Sequence, residues 1–181
     1  SRGLGDVYKR QAREKSDLPK FYLDLKYYKK SLNNNSNPYT PAVNLVFALE
    51  ESLKMMHEEG LENIFQRHEK HKLAVSNAIQ ALNLKLFANR KSLSPSITAI
   101  ESTQVDAELF RKIVKDKYDI LLAGGQDHLK GKIFRVGHLG YINNRDIMIA
   151  ISAIGLTLLE QKLISTEEVG KSLQIAETYL Q

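Results

Sequence analysis

Few side chains of this sequence are suited to chemistry, and their spacing narrows them further. In Lys132-Ile133-Phe134-Arg135-Val136-Gly137 a strand would put Phe134 and Val136 on one face and Ile133, Arg135 and Gly137 on the other. The apolar pair can then pack inward while the Arg135 guanidinium points towards an opening. A planar, permanently charged fork suits a carboxylate, which accepts two parallel hydrogen bonds from it. The same residue also reads as a strand arginine in a salt bridge or on a solvated edge. Thr40-Pro41 reads as a helix start, with Thr40 as N-cap and Pro41 at the first helical position. A hydroxyl placed there lies beside free backbone N–H groups and the positive end of the helix dipole, which is a setting for phosphate; plain capping explains the pattern without any ligand. Gly124-Gly125 permits a tight backbone turn, either towards a site or simply at a strand end. His138 follows the arginine strand but falls by alternation on the Phe134 face. His68 and His71 have the i, i+3 spacing of metal ligands, yet no third ligand is evident and a polar helix face accounts for them.

Whole classes of chemistry are excluded by composition. The 181 residues include no cysteine, so no disulfide, thiolate nucleophile or cysteine-ligated metal can be built from them. With 43% hydrophobic and 26% charged residues the chain can bury a core and is not of a disordered type. Apolar runs such as Ile147 to Leu159 fall short of the roughly 20 residues of a membrane span and are broken by Ser152 and Gly155. A soluble, cytoplasmic protein is expected.

The net charge of +5 invites a nucleic-acid reading that the first residues weaken. Residues 1–11, Ser1-Arg2-Gly3-Leu4-Gly5-Asp6-Val7-Tyr8-Lys9-Arg10-Gln11, read as the translation of a transposon-based sequencing adapter, and so as non-native. Without Arg2, Asp6, Lys9 and Arg10 the remainder carries +3. No nucleic-acid partner is expected. The chain does not start with Met, and its natural frame is expected to continue upstream.

The elements that must position these residues follow from periodicity. Lys20 to Leu25 is expected as an extended lead into a short amphipathic helix, and Asn33 to Pro38 as a loop and domain boundary. A helix from Thr40 to about Glu59 carries the apolar stripe Ala42, Leu45, Val46, Leu49, Leu53 and Met56, and stops at Gly60. A second helix, Leu61 to Leu82, is expected to pair with it. Short strands are expected at Leu84 to Phe87 and Ser96 to Ile100, with a turn at residues 91–95. An Asp106-capped helix with Leu109, Ile113 and Val114 on one face comes next, then the Ile120 to Ala123 run before the glycine pair and the arginine strand. Two helices, Arg145 to Gln161 and Thr166 to Leu180, close the chain, the latter capped by Ser165 or Thr166. This order describes an α+β domain with a small, mainly antiparallel sheet covered by helices.

Three stretches carry a resemblance. Phe21-Tyr22-Leu23-Asp24-Leu25, Tyr39-Thr40-Pro41-Ala42-Val43 leading into Ala48-Leu49-Glu50-Glu51-Ser52-Leu53, and Leu122-Ala123-Gly124-Gly125 followed by Gly131 to Gly140 resemble the class V aminotransferases of the alanine-glyoxylate and serine-glyoxylate branch. The similarity covers essentially everything after residue 11. It implies the C-terminal small domain of a fold-type I enzyme preceded by the tail of its large domain: residues 12–38 as that tail and linker, and residues 39–181 as long helices plus the small domain. It implies pyridoxal 5'-phosphate as cofactor, amino acids and 2-oxo acids as substrates, a homodimer and no membrane. By the same resemblance Arg135 binds the substrate carboxylate and Thr40 reaches the cofactor phosphate of the partner subunit. The position three residues before Thr40, often tyrosine in the family, is Asn37 here, with the aromatic at Tyr39. No lysine lies in the family's Ser-x-Lys context before a Pro-Pro-Gly turn, so the cofactor-bearing lysine is expected upstream and the fragment alone is expected to be inactive. A large domain closed over by this one implies that the Phe21 to Tyr28 aromatics and the Thr40 to Met56 helix show apolar surface when the chain is alone. The implied reaction is amino transfer between alanine or serine and glyoxylate or pyruvate. Class V enzymes acting on phosphoserine, 2-aminoethylphosphonate or ureidoglycine are alternatives, as is a non-catalytic carboxylate-binding module; the cysteine desulfurases are disfavoured because the chain has no cysteine.

Overall fold

The computed structural model describes residues 2–181. It divides into two compact units, Ser1–Met55 and Met56–Gln181.

In the first unit, helices α1 (Arg2–Lys15) and α2 (Leu25–Asn33) are tied by one carboxylate. Asp24 caps α2 by accepting the Lys26 N–H at 3.0 Å, and takes the Arg13 guanidinium on both oxygens at 2.8 and 2.9 Å. The two-pronged contact holds the Asp24 carboxyl well below the usual range, at about 2. The stretch before α2, expected as extended, is instead a turn closed by the Leu23 N–H donating to the Lys20 carbonyl at 2.9 Å. It gathers Phe21, Tyr22 and Tyr28 around Tyr39, with Tyr22 and Tyr39 centroids 4.4 Å apart and the Tyr39 hydroxyl donating to the Phe21 carbonyl at 2.8 Å.

Helix α3 spans Val43–Glu59, and its start corrects the expected cap. The first helical acceptor is the Ala42 carbonyl, bonded by the Val46 N–H at 3.1 Å, so Ala42 and not Thr40 occupies the cap position. A three-residue turn, Val43 N–H to Pro41 carbonyl at 2.9 Å, delays the helix by two residues. The apolar stripe exists but no side chain of α3 is buried: Leu45 is 71% and Leu49 57% exposed.

The second unit holds the sheet. Helix α4 (Leu61–Ala81) buries His71, Ala74, Val75, Ala78 and Ile79 along its C-terminal half. It packs along α7 (Thr166–Leu180) and on α6 (Asn144–Glu160), where the sequence had suggested the preceding helix as partner. Leu61 and Phe65, in its N-terminal half, are exposed. Strands β1 (Lys85–Leu86), β2 (Ile97–Glu101), β3 (Ala123–Gly124) and β4 (Ile133–Gly137) form one antiparallel sheet in the order β1-β2-β4-β3. The segment between β1 and β2 contains a single 3-10 turn at Arg90–Ser92. Helix α5 (Ala107–Tyr118) is capped by Asp106 as expected, the carboxylate accepting from the Glu108 and Leu109 N–H groups. Its buried face is Ala107, Phe110 and Val114, while Leu109 points outward, one position off the expected stripe. Phe110 stacks on Phe134 of β4 at 4.9 Å, joining helix and sheet layers. Capping boxes at Asn143 with Asp146 and Ser165 with Glu168 start α6 and α7. The α+β class with a small antiparallel sheet covered by helices is therefore as read from the sequence.

Candidate functional site

Arg135 stands in the middle of β4, which is an interior strand flanked by β2 and β3. Phe134 and Val136 face the helices and are buried, whereas Arg135 is half-buried on the opposite face. Its cross-strand neighbours are Ala99 on β2 and Ala123 on β3, both small. The Arg135 Nε donates to the Gly124 carbonyl at 2.9 Å. Among the described residues its two terminal nitrogens have no carboxylate partner, unlike Arg13, Arg67 and Arg111, which pair with Asp24, Glu59 and Glu108. Among the described residues Arg135 is thus neither ion-paired nor on an edge strand. An arginine held at Nε keeps both terminal N–H groups parallel and available to one anion.

The glycine pair is built into this arrangement. A side chain on Gly125 would meet the Leu129 carbonyl oxygen at 2.1 Å, and one on Gly124 would press the Arg111 and Glu108 side chains at 2.5 and 2.7 Å. Sequence reasoning missed Glu108 and Arg111. Their i, i+3 spacing was the available signal.

Thr40 lies in the first unit. Its exposed hydroxyl sits in a cleft of about 670 Å³ lined by Tyr22, Ser36, Asn37, Pro38, Tyr39 and Pro41. It makes no side-chain hydrogen bond among the described residues, so it is free to receive a phosphate oxygen, although it does not cap α3. Arg135 belongs to the second unit.

His68, His71 and His138 make structural hydrogen bonds. His138 is fully buried on the Phe134 side, as alternation placed it. Its Nδ1 lies 3.1 Å from the Pro95 carbonyl, which can only accept, so that nitrogen carries the proton and Nε2 accepts from the Thr98 hydroxyl at 2.9 Å. Burial pushes its pKa down to about 4. His68 Nδ1 contacts the Ile64 carbonyl at 2.7 Å and Nε2 accepts the Gly140 N–H at 3.2 Å, while the buried His71 bonds Asn144 at 3.1 Å. No cluster of metal-ligating residues occurs among the described residues. Next to His68, Arg67 grips Glu59 and donates to the Gly140 and Ile142 carbonyls at 2.9 Å each, pinning the loop that follows β4.

The chain is similar to known proteins over most of its length. No protein-family model matches the chain. A soluble hydrogenase small subunit of Synechococcus sp. (strain PCC 6716) is 51% identical over 150 residues, 83% of this chain and 39% of that protein. A serine–glyoxylate aminotransferase of Methylorubrum extorquens is 33% identical over 165 residues, 90% of this chain and 40% of that protein. The crystal structure of ureidoglycine-glyoxylate aminotransferase from Bacillus subtilis superposes with a TM-score of 0.82 at 29% identity, covering 93% of this chain and 44% of that one. The chain belongs to the class V aminotransferases. Within them its fold is that of the C-terminal domain, and it spans about two fifths of the length of the relatives it matches. No helix among the described residues is long and apolar enough to cross a membrane.

Proposed function

We propose that this chain is the substrate-gripping part of a pyridoxal-phosphate-dependent aminotransferase moving an amino group between alanine or serine and glyoxylate or pyruvate. The observation that carries the reading is Arg135, a guanidinium held at Nε by the Gly124 carbonyl on a strand where Ala99 and Ala123 stand opposite it, with no carboxylate on its terminal nitrogens among the described residues. Two parallel N–H groups fix both the position and the roll of an α-carboxylate, and so aim the amino or oxo carbon. Glyoxylate as acceptor is supported by its place in the names of the Methylorubrum and Bacillus relatives. Bound cofactor supplies an electron sink that lets the amino group leave one carbon skeleton and join another. The cofactor-bearing lysine belongs to the part of the enzyme outside these residues. Thr40, with its free hydroxyl, holds the cofactor phosphate of a partner subunit in a symmetric, cytoplasmic homodimer. The exposed stripe of α3 and the Phe21 to Tyr28 aromatics supply the apolar surface that a large domain and a second subunit cover.

Ureidoglycine as donor is the second reading, supported by the structural likeness to the Bacillus enzyme. The full-length enzyme, purified with its cofactor and offered alanine, serine, aspartate and ureidoglycine against glyoxylate and pyruvate, should turn over alanine or serine. Absence of amino transfer from every donor would refute the reading.

A further inference from the structure

The Arg135 Nε donates to the Gly124 carbonyl, so the guanidinium lies where β3 puts that oxygen. Strand β3 is only two residues long, Ala123–Gly124, and pairs with β4 alone. A two-residue edge strand has too few ladder bonds to hold a carbonyl in place by itself. Here α5 supplies the missing restraint. The Arg111 Nε donates to the Leu122 carbonyl at 2.7 Å, one residue before β3, and its NH1 binds Glu108 at 2.6 Å. These two side chains also fill the space over Gly124, where a methyl group would stand 2.5 Å from Arg111 NH1 and 2.7 Å from Glu108 Oε1. The backbone of residues 122–124 is therefore clamped from the helix side of the sheet, while Arg135 bonds it from the other.

We infer that Arg111, braced by Glu108, is a positioning residue for substrate binding: it holds β3 so that the Gly124 carbonyl sets the angle of the Arg135 fork. Arg111 touches no substrate. Its own charge is spent on Glu108 and a backbone carbonyl, and α5 is otherwise anchored by Phe110 and Val114, which reach the core without it. Loss of Arg111 thus leaves the helix docked and frees the strand. The inference rests on the reading of Arg135 as the carboxylate-binding residue.

The test uses the full-length enzyme with Arg111→Met, which keeps the stem and removes the donors, and Arg111→Lys, which can restore one donor to Leu122. Loss of one restraining hydrogen bond predicts a rise in KM for both the amino acid and the 2-oxo acid on the order of fivefold for Arg111→Met, larger than any fall in kcat, and a smaller rise for Arg111→Lys. In an Arg135→Lys background Arg111→Met should add less than about twofold, because the fork it aims is gone. Val114→Ala, a packing loss on the same helix, should lower the melting temperature without moving KM. Equal effects of Arg111→Met with and without Arg135, or a KM that tracks melting temperature through Val114→Ala, would overturn the inference. A readout that does not depend on activity separates it from the substrate reading: in the 181-residue chain, the Arg135 Nε–H signal should lose at least about tenfold of its exchange protection in Arg111→Met. If Arg135→Lys leaves every KM unchanged the substrate reading fails, and this signal still decides whether Arg111 positions Arg135; unchanged protection would refute it.

Discussion

Acidification from pH 7.5 to 5 should destabilise the second unit through one buried ring. His138 is fully buried, donates from Nδ1 to the Pro95 carbonyl and accepts at Nε2 from the Thr98 hydroxyl, an arrangement only the neutral ring can make. Burial holds its pKa at about 4 against an ordinary value of 6.5. Between those values the unfolded chain takes up a proton that the folded chain refuses. The stabilisation is therefore complete above about pH 6.5 and is lost as pH falls towards 4. By linkage the gap is worth about 3 kcal/mol in full, of which about 2 kcal/mol is gone at pH 5. Carboxylates that are held charged, such as Asp24 and Glu59, and the buried His71 also weaken the fold in acid, so native protein alone is not diagnostic. His138→Gln can keep both hydrogen bonds and does not titrate. Urea unfolding of the two proteins at pH 7.5 and 5.0 should show native protein losing about 2 kcal/mol more than the variant. Equal losses would refute the argument that this ring is neutral because it is buried.

Three further outcomes follow from the packing. Gly125→Ala drives a methyl group to within 2.1 Å of the Leu129 carbonyl oxygen, a backbone atom that cannot swing away, and should cost about 2 kcal/mol or more in thermal unfolding. Arg67→Met removes the clamp on the Gly140 and Ile142 carbonyls and strands the partly buried Glu59; it should cost about 1–3 kcal/mol and speed hydrogen exchange at the Gly140 amide, with unchanged exchange arguing against the clamp. Limited proteolysis of the chain alone should cut before about Met56, around residues of the uncovered α3 face, and leave a resistant core from α4 onward; cutting first within β2 or α6 would contradict the two-unit division.

The parts of this fold that were legible in the sequence are those decided by local physics. Asp106, Asn143 to Asp146 and Ser165 to Glu168 start helices because a side-chain oxygen satisfies a free N–H within three residues, and that chemistry is written in the sequence. Strand alternation likewise placed Phe134 and His138 inward and Arg135 outward. Periodicity failed where the outcome depends on a neighbour. It grouped Leu45, Leu49 and Leu53 on one face but could not say what covers them, and it put Leu109 in a stripe that Phe110 fills. Thr40 was displaced from its cap by the turn at Pro41, a competition between two local patterns that composition does not rank. The Arg111 clamp was not legible because its acceptor, the Leu122 carbonyl, is backbone and eleven residues away.

Under the proposed function Arg135 grips the substrate carboxylate. That role is tested most directly by mixing cofactor-loaded full-length enzyme with alanine or serine in a stopped-flow spectrophotometer and measuring the apparent Kd of the first half-reaction for native protein and Arg135→Ala. Loss of a bidentate charged contact predicts a Kd raised by at least about tenfold to a hundredfold with the cofactor absorbance retained. An unchanged Kd in a variant that keeps its cofactor would contradict it.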